Sequence, residues 1–146
     1  MSDLEATATD GGSLIGAVDR TRVTIAGGLL VGPVLSRIVG IHASRAQLPL
    51  DRLNDAVLIA DALAARAPAF AVGHRLPVSV QSFPQRLEIR VGPLRPGGGN
   101  RVLDGAALPE VGSVIERLAD SVRVRPGAGG DEYLVLRVGA GEGAQP

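Results

Sequence analysis

Residues 51–66, DRLNDAVLIADALAAR, are apolar around nearly the whole circumference of a helix. Leu53, Ala56, Val57, Ala60 and Ala64 mark one face, with Leu58, Ile59 and Leu63 beside it. A helix with so little polar surface must be buried, so the chain has to supply a second layer broad enough to receive it. Asp51 is placed as its N-cap, and Pro68 stops it. The chain has 146 residues, enough for one domain with its own core and short for two.

The covering layer reads as strands. Residues 20–26 (RTRVTIA) alternate and end at Gly27-Gly28, and residues 76–81 (LPVSVQ) and 86–91 (RLEIRV) flank the short link Ser82-Phe83-Pro84-Gln85, which suits a hairpin. Leu87, Ile89 and Val91 share one side of their strand while Arg86, Glu88 and Arg90 share the other, the pattern of a sheet with one covered and one wet face. Residues 29–47 carry Leu30, Val31, Val34, Leu35, Ile38, Val39 and Ile41 at helical spacing, with Pro33 tolerated in the first turn. Residues 110–120 predict a third helix on the stripe Val111, Val114, Ile115, Leu118. Residues 121–125 and 132–138 pair as a last hairpin around Pro126-Gly127-Ala128-Gly129-Gly130. Between them, residues 92–109 (GPLRPGGGNRVLDGAALP) show no periodicity and predict a long lid-like loop. Residues 1–19 predict a flexible leader without an apolar signal core, and residues 139–146 a frayed tail; the cytoplasm is the expected location.

Composition removes several chemistries. All 15 basic residues are Arg, so no Lys is present for a P-loop, a Schiff base or a general base. The absence of Cys removes disulfides, thiolate nucleophiles and Cys-ligated zinc. His42 and His74 lie far apart and neither has a helical His partner, so no metal site is expected; Thr21 and Ser113 have no visible His or Lys to activate them. Arg is balanced by 15 acids, so no long-range pull toward nucleic acid or an anionic membrane is expected. Aromatics are only 2%, which leaves the core to Leu, Val, Ile and Ala.

The order strand, two helices, two strands, loop, helix, two strands, together with residues 51–66 and 107–124 (ALPEVGSVIERLADSVRV), resembles the histidine-kinase-like (GHKL) ATPases. The branch it is most similar to is the small anti-sigma-factor serine kinases, over residues 20–138. The resemblance implies an α+β fold: a two-layer α/β sandwich (Bergerat-like) with a mixed, mostly antiparallel sheet and about three helices on one face. It also implies ATP and Mg2+ as ligands, a sigma factor or its antagonist as protein partner, and a possible homodimer.

The motifs of that family are altered here. The E-A-x-x-N helix motif falls on Asp61-Ala62-Leu63-Ala64-Ala65. Asp61 stands where the resemblance implies a catalytic carboxylate and is otherwise a solvent-facing acid; Ala65 has no oxygen for magnesium. The adenine-recognising Asp of D-x-G-x-G is replaced by Gly92, and Asp104 is too deep in the loop to substitute. Of the phosphate-binding G-x-G motif only Gly112 remains, with Glu110 placed to oppose phosphate or to favour a helix start. Gly97, Gly98 and Gly99 read either as a phosphate-binding loop or as a flexible lid tip. The expectation is therefore a regulatory protein-binding domain on a degenerate, non-catalytic kinase fold without a cofactor. The alternative is an ATP-binding serine/threonine kinase acting on a sigma factor or its antagonist, with Asp61 as base, nucleotide along Gly97, Gly98, Gly99 and Gly112, and magnesium held by phosphates and water.

Overall fold

The computed structural model describes residues 4–6, 19–25, 31–105, 107–108 and 112–140. Strand β1 (Leu4–Ala6) and strand β2 (Asp19–Ile25) precede helices α1 (Val31–Arg45) and α2 (Leu50–Arg66) and a 3-10 turn, Ala67–Phe70. The hairpin β3 (Leu76–Phe83) and β4 (Arg86–Leu94) follows. Next come α3 (Gly98–Gly105), the short strands β5 (Ala107–Leu108) and β6 (Gly112–Ser113), and α4 (Val114–Leu118). The hairpin β7 (Ser121–Pro126) and β8 (Glu132–Gly139) closes the order. Six strands form one sheet in the order β1-β2-β3-β4-β8-β7, and β5 pairs with β6. Each of these pairs is antiparallel, in line with the mostly antiparallel sheet expected. The helices cover one face, so the fold is an α+β two-layer sandwich as expected, with four α-helices among the described residues where about three were expected.

The sheet's period of two sets the core. Val23, Ile25, Leu76, Val78, Val80, Leu87, Ile89, Val91, Leu134, Leu136 and Val138 all point to the helices and are buried. They meet Leu35 and Val39 of α1, Ala56, Ile59, Ala60 and Leu63 of α2, and Ile115 of α4. The two long helices run antiparallel. Val57 lies beside Gly40, and the Ser36 hydroxyl donates to the Asp61 carboxylate. Arg52 ties the start of α2 to the end of the sheet. Its Nε donates to the Gly139 carbonyl at 3.0 Å, and its terminal nitrogens reach Asp55 and Asp120 at 2.7 Å each. Asp120 in turn accepts from the Gly139 amide at 2.6 Å.

Several expectations need correction. Helix α2 is not buried all round: Leu58 is 51% exposed and Leu50 72%, because only the stripe Ala56, Ile59, Ala60, Leu63 meets the sheet. Asp51 is in the first turn of α2, and the cap position is Pro49, whose carbonyl accepts from the Leu53 amide at 2.8 Å. Helix α1 spans 31–45, and residues 26–30 lie outside the described part. The predicted third helix is five residues, Val114–Leu118, capped by Ser113, whose hydroxyl accepts from the Glu116 amide; Glu110 and Val111 are outside the described residues. The predicted loop is not a loop: β4 runs on to Leu94 and residues 98–105 are helical. In the predicted leader, residues 4–6 pair with β2, and in the predicted tail Gly139 belongs to β8. Asp19, the last residue of the predicted leader, begins β2 and pairs with Ser82. The other residues of both segments lie outside the described part, except Ala140, whose amide donates to the Gln85 carbonyl at 3.0 Å.

Thr21 does have a histidine partner, which the sequence hid. His42 of α1 is 1% exposed and sits against the sheet, with Nε2 2.7 Å from the Thr21 hydroxyl and Nδ1 3.4 Å from the buried Ser82 hydroxyl. A buried imidazole needs such partners, and burial lowers its pKa below the ordinary 6.5. Nearly fully buried itself, it ties α1 to the sheet through these two hydroxyls. The folded chain keeps His42 neutral where the unfolded chain takes up a proton. The stability this contributes is full above about pH 6.5 and falls as pH drops below that value. Melting temperature is expected to decline from about pH 7 to about pH 5, with a shallower decline in His42→Gln; scanning calorimetry across that range checks it. For the core, Leu63→Ala (1% exposed) is expected to cost about 2–5 kcal/mol in urea unfolding. Leu58→Ala should stay within about 0.5 kcal/mol.

Candidate functional site

Among the residues that the sequence put forward, Asp61 and Ala65 lie in the C-terminal half of α2, Gly92 near the end of β4, Gly97 in the turn before α3, Gly98 and Gly99 in the first turn of α3, and Gly112 in β6. Asp61 is exposed and its carboxylate is held by Ser36 of α1. Ala65 is exposed and offers a methyl group where a metal ligand would be needed. Arg66, one residue on, lies directly over Gly105 at the end of α3, where an added Cβ would come within 2.2 Å of its guanidinium. Gly112 lies in β6, paired with Leu108. No hydrogen bond among the described residues joins Asp61 to Gly97, Gly98, Gly99 or Gly112.

Helix α3 fills the space that a lid loop would leave open. Val102 and Leu103 are buried, and the helix packs against the 3-10 turn, α2, β8 and α4. Its first turn enters tightly. A Cβ on Gly98 would stand 3.1 Å from both Leu94 and Phe70, and one on Gly99 would stand 3.0 Å from Val124 and 3.2 Å from Glu132. These glycines are therefore a packing requirement at a helix start, not a flexible tip.

The start of α3 also has its anion. Glu132, the first residue of β8, accepts from the Gly97 amide at 2.9 Å through Oε2 and from the Gly99 amide at 3.0 Å through Oε1. Unpaired amides and the positive end of the helix dipole make a helix N-terminus a place for phosphate or carboxylate. In this protein the carboxylate comes from the chain itself. Sequence reasoning missed Glu132, because its partners are 33 and 35 residues away and no local pattern marks it.

Gly92, at the position where the family pattern has an acid, serves the backbone. Its φ is +149°, and an added Cβ would lie 2.6 Å from the Tyr133 ring and 2.8 Å from the Glu132 carbonyl. The register of β4 against β8 shifts between Val91 and Leu94, so Gly92 and Pro93 form a bulge beneath Tyr133. A cavity of about 360 Å3 opens beside this bulge, on the face of the sheet away from the helices.

Among the described residues, no group of three or more His, Asp or Glu side chains converges as metal ligands, and no helix is long and apolar enough to cross a membrane. No protein-family model matches the chain, and no curated protein matches it in sequence.

Removing the charge at the start of α3 tests its internal capping. Glu132→Gln is expected to lower stability by about 1–3 kcal/mol, the range for a hydrogen bond to a charged group. Hydrogen exchange at Gly97 and Gly99 should speed up while the centre of the sheet stays protected.

Proposed function

We propose that this chain is a regulatory, protein-binding domain on the plan of the histidine-kinase-like ATPases, in which α3 and Glu132 occupy the place of the nucleotide. The observation that carries this reading is the Glu132 carboxylate on the Gly97 and Gly99 amides. A triphosphate brought to those amides would meet a fixed negative charge and a helix already packed by Val102 and Leu103. Ala65 in place of a magnesium ligand and Gly92 in place of an adenine acceptor support the same conclusion. The order of helices and strands, with the helices on one face, supports the kinase plan.

A domain of this kind works by offering surface. On the outer side of the helical layer Val34 is 42% exposed, Ile41 48% and Leu58 51%, from two helices packed side by side. Apolar side chains gathered on one exposed face favour contact with another protein. By the resemblance, the partner class is a sigma factor or its antagonist, with a second copy of the chain as the homodimeric variant.

Two measurements test the reading. Titration calorimetry with ATP and ADP at millimolar concentration, with and without Mg2+, should give no binding heat. Micromolar binding that disappears in Asp61→Ala would establish the kinase alternative instead. In the second, sedimentation and native co-purification from the source cells should show a partner or a dimer, and Ile41→Glu with Leu58→Glu should abolish the association without changing the melting temperature. A chain that remains a lone monomer in both settings would refute the protein-binding reading.

A further inference from the structure

The face of the sheet away from the helices has a charge pattern that the rest of the molecule does not share. By strand register, Arg20, Arg22, Arg86, Arg90, Arg123, Arg125 and Arg137 all stand on it, with Glu88 and, at the β1 edge, Glu5 as the acids among them. Two cross-strand rows matter. The first runs Arg20, Gln81, Glu88, Arg137 across β2, β3, β4 and β8, and its members contact one another in pairs: Arg20 reaches Gln81 at 3.5 Å through a terminal nitrogen, and Arg137 donates to Glu88 at 3.1 Å. The second runs Arg22, Ser79, Arg90 across β2, β3 and β4 and continues through the apolar Val135 of β8 to Arg123 of β7. Here two guanidinium groups flank a short side chain. Adjacent strands lie about 4.8 Å apart, so both arginines stand within reach of one small group seated over Ser79.

The cavity of about 360 Å3 is centred on this row, with Arg20, Arg22, Arg90, Ser79, Gln81 and Tyr133 in its lining. Its shape follows from the bulge. Tyr133 lies over Gly92, and Arg90 stacks on the Tyr133 ring at 4.6 Å, which holds the guanidinium by its flat face and leaves its N–H edge for a ligand. The Arg20 Nε is buried and has no hydrogen-bond partner. Glu5 stands opposite Arg22 on β1, whereas Arg90 has no acid directly beside it in its row.

We propose that this cavity is a binding site for a small molecule carrying a doubly charged anionic group, a phosphomonoester or a dicarboxylate, gripped by Arg90 and Arg22 with Arg20 at the rim. Guanidinium forks match the paired oxygens of both groups. The volume lies within the range of small-ligand pockets. Gathering cations around a serine is unfavourable without an anion, and among the described residues of the lining the one carboxylate, Glu88, is already committed to Arg137. A single-stranded nucleic acid would need open rings on which bases stack. The rings on this face, Phe83 and Tyr133, are covered by Arg86 and Arg90 at 4.4 and 4.6 Å. The site is on the opposite layer from the helical surface, so it stands or falls independently of the protein-binding reading.

The test titrates the whole chain with inorganic phosphate, pyrophosphate and malonate, by calorimetry and by amide shifts, at about 0.1 M salt so that diffuse attraction is screened. One-to-one saturable binding of at least one probe is expected, with shifts centred on Ser79, Arg90, Gly92 and Tyr133. Arg90→Gln and Arg22→Gln should each weaken it by about tenfold or more, the loss of a charge-assisted fork. Arg125→Gln, on the same face but outside the lining, should change it by less than about twofold, and melting curves should confirm that all three variants are folded. Preference for phosphate and pyrophosphate identifies a phosphoryl ligand, and preference for malonate a dicarboxylate. Failure of all three probes to saturate, or equal weakening by Arg125→Gln, would overturn the proposal. So would tighter binding of a thymidine oligonucleotide that depends on Arg123 and Arg125.

Discussion

The alternation along β4 is the constraint on which the rest of this structure depends. Leu87, Ile89 and Val91 face the helices, while Arg86, Glu88 and Arg90 face away. A slip of one residue against β3 or β8 would bury three charged side chains and expose three aliphatic ones, so the register is set by the cost of burying charge. With β4 fixed, β3 and β8 are fixed by pairing, and β2 and β7 by pairing in turn. The helices then have one face available to them. The alternation ends at the bulge of Gly92 and Pro93, and both regions of interest flank that break: α3 follows it in the chain, and the arginine-lined cavity opens beside it.

These two regions solve the same electrostatic problem in opposite ways. At the start of α3, exposed amides and a helix dipole create a demand for negative charge, and Glu132 meets it from within the chain. Across Ser79, Arg22 and Arg90 create a comparable demand, and among the described residues of the cavity lining the one acid, Glu88, is already held by Arg137. Residues 132 and 133 are neighbours on β8 and point to opposite faces. Glu132 closes the site on the helix side, and Tyr133 builds the wall of the site on the other. A single two-residue step thus separates an anion demand that is satisfied from one that is not.

The sequence was legible where local pattern and tertiary environment agree. Both hairpins and the two long helices follow from period-two alternation and from helical spacing, and the strand-helix-strand order gave the two-layer α+β class. It failed where structure depends on a distant partner. Residues 98–105 open with two glycines, poor helix formers, and fold as a helix because Glu132 caps them and Phe70, Leu94 and Val124 surround them. Helix α2 looked fully buried because Leu58 is apolar; its exposure is decided by the position of the sheet, which composition does not record. The Thr21–His42–Ser82 network joins three elements that are remote in sequence. Among the candidate site residues, Asp61 and Ala65 were placed correctly on one helix. The assignment of Gly98 and Gly99 to a loop was not, and the arginine row was invisible because it exists only after three strands are brought into register.

Net charge illustrates the same limit. A formal charge of zero describes the field felt far from the molecule, and by that measure the chain attracts no polyanion. At about 0.1 M salt a charge is felt over about 10 Å, roughly two strand spacings, so a ligand at the surface responds to local arrangement and not to the total. A sheet with one sealed face sorts residues by parity: every second position in β2, β4, β7 and β8 is sent outward together. Arginines at those positions become one surface, while among the described residues most of the acids stand on helices and at element ends. The chain is therefore neutral as a whole and strongly cationic on one face, and that separation is a direct product of the β4 register.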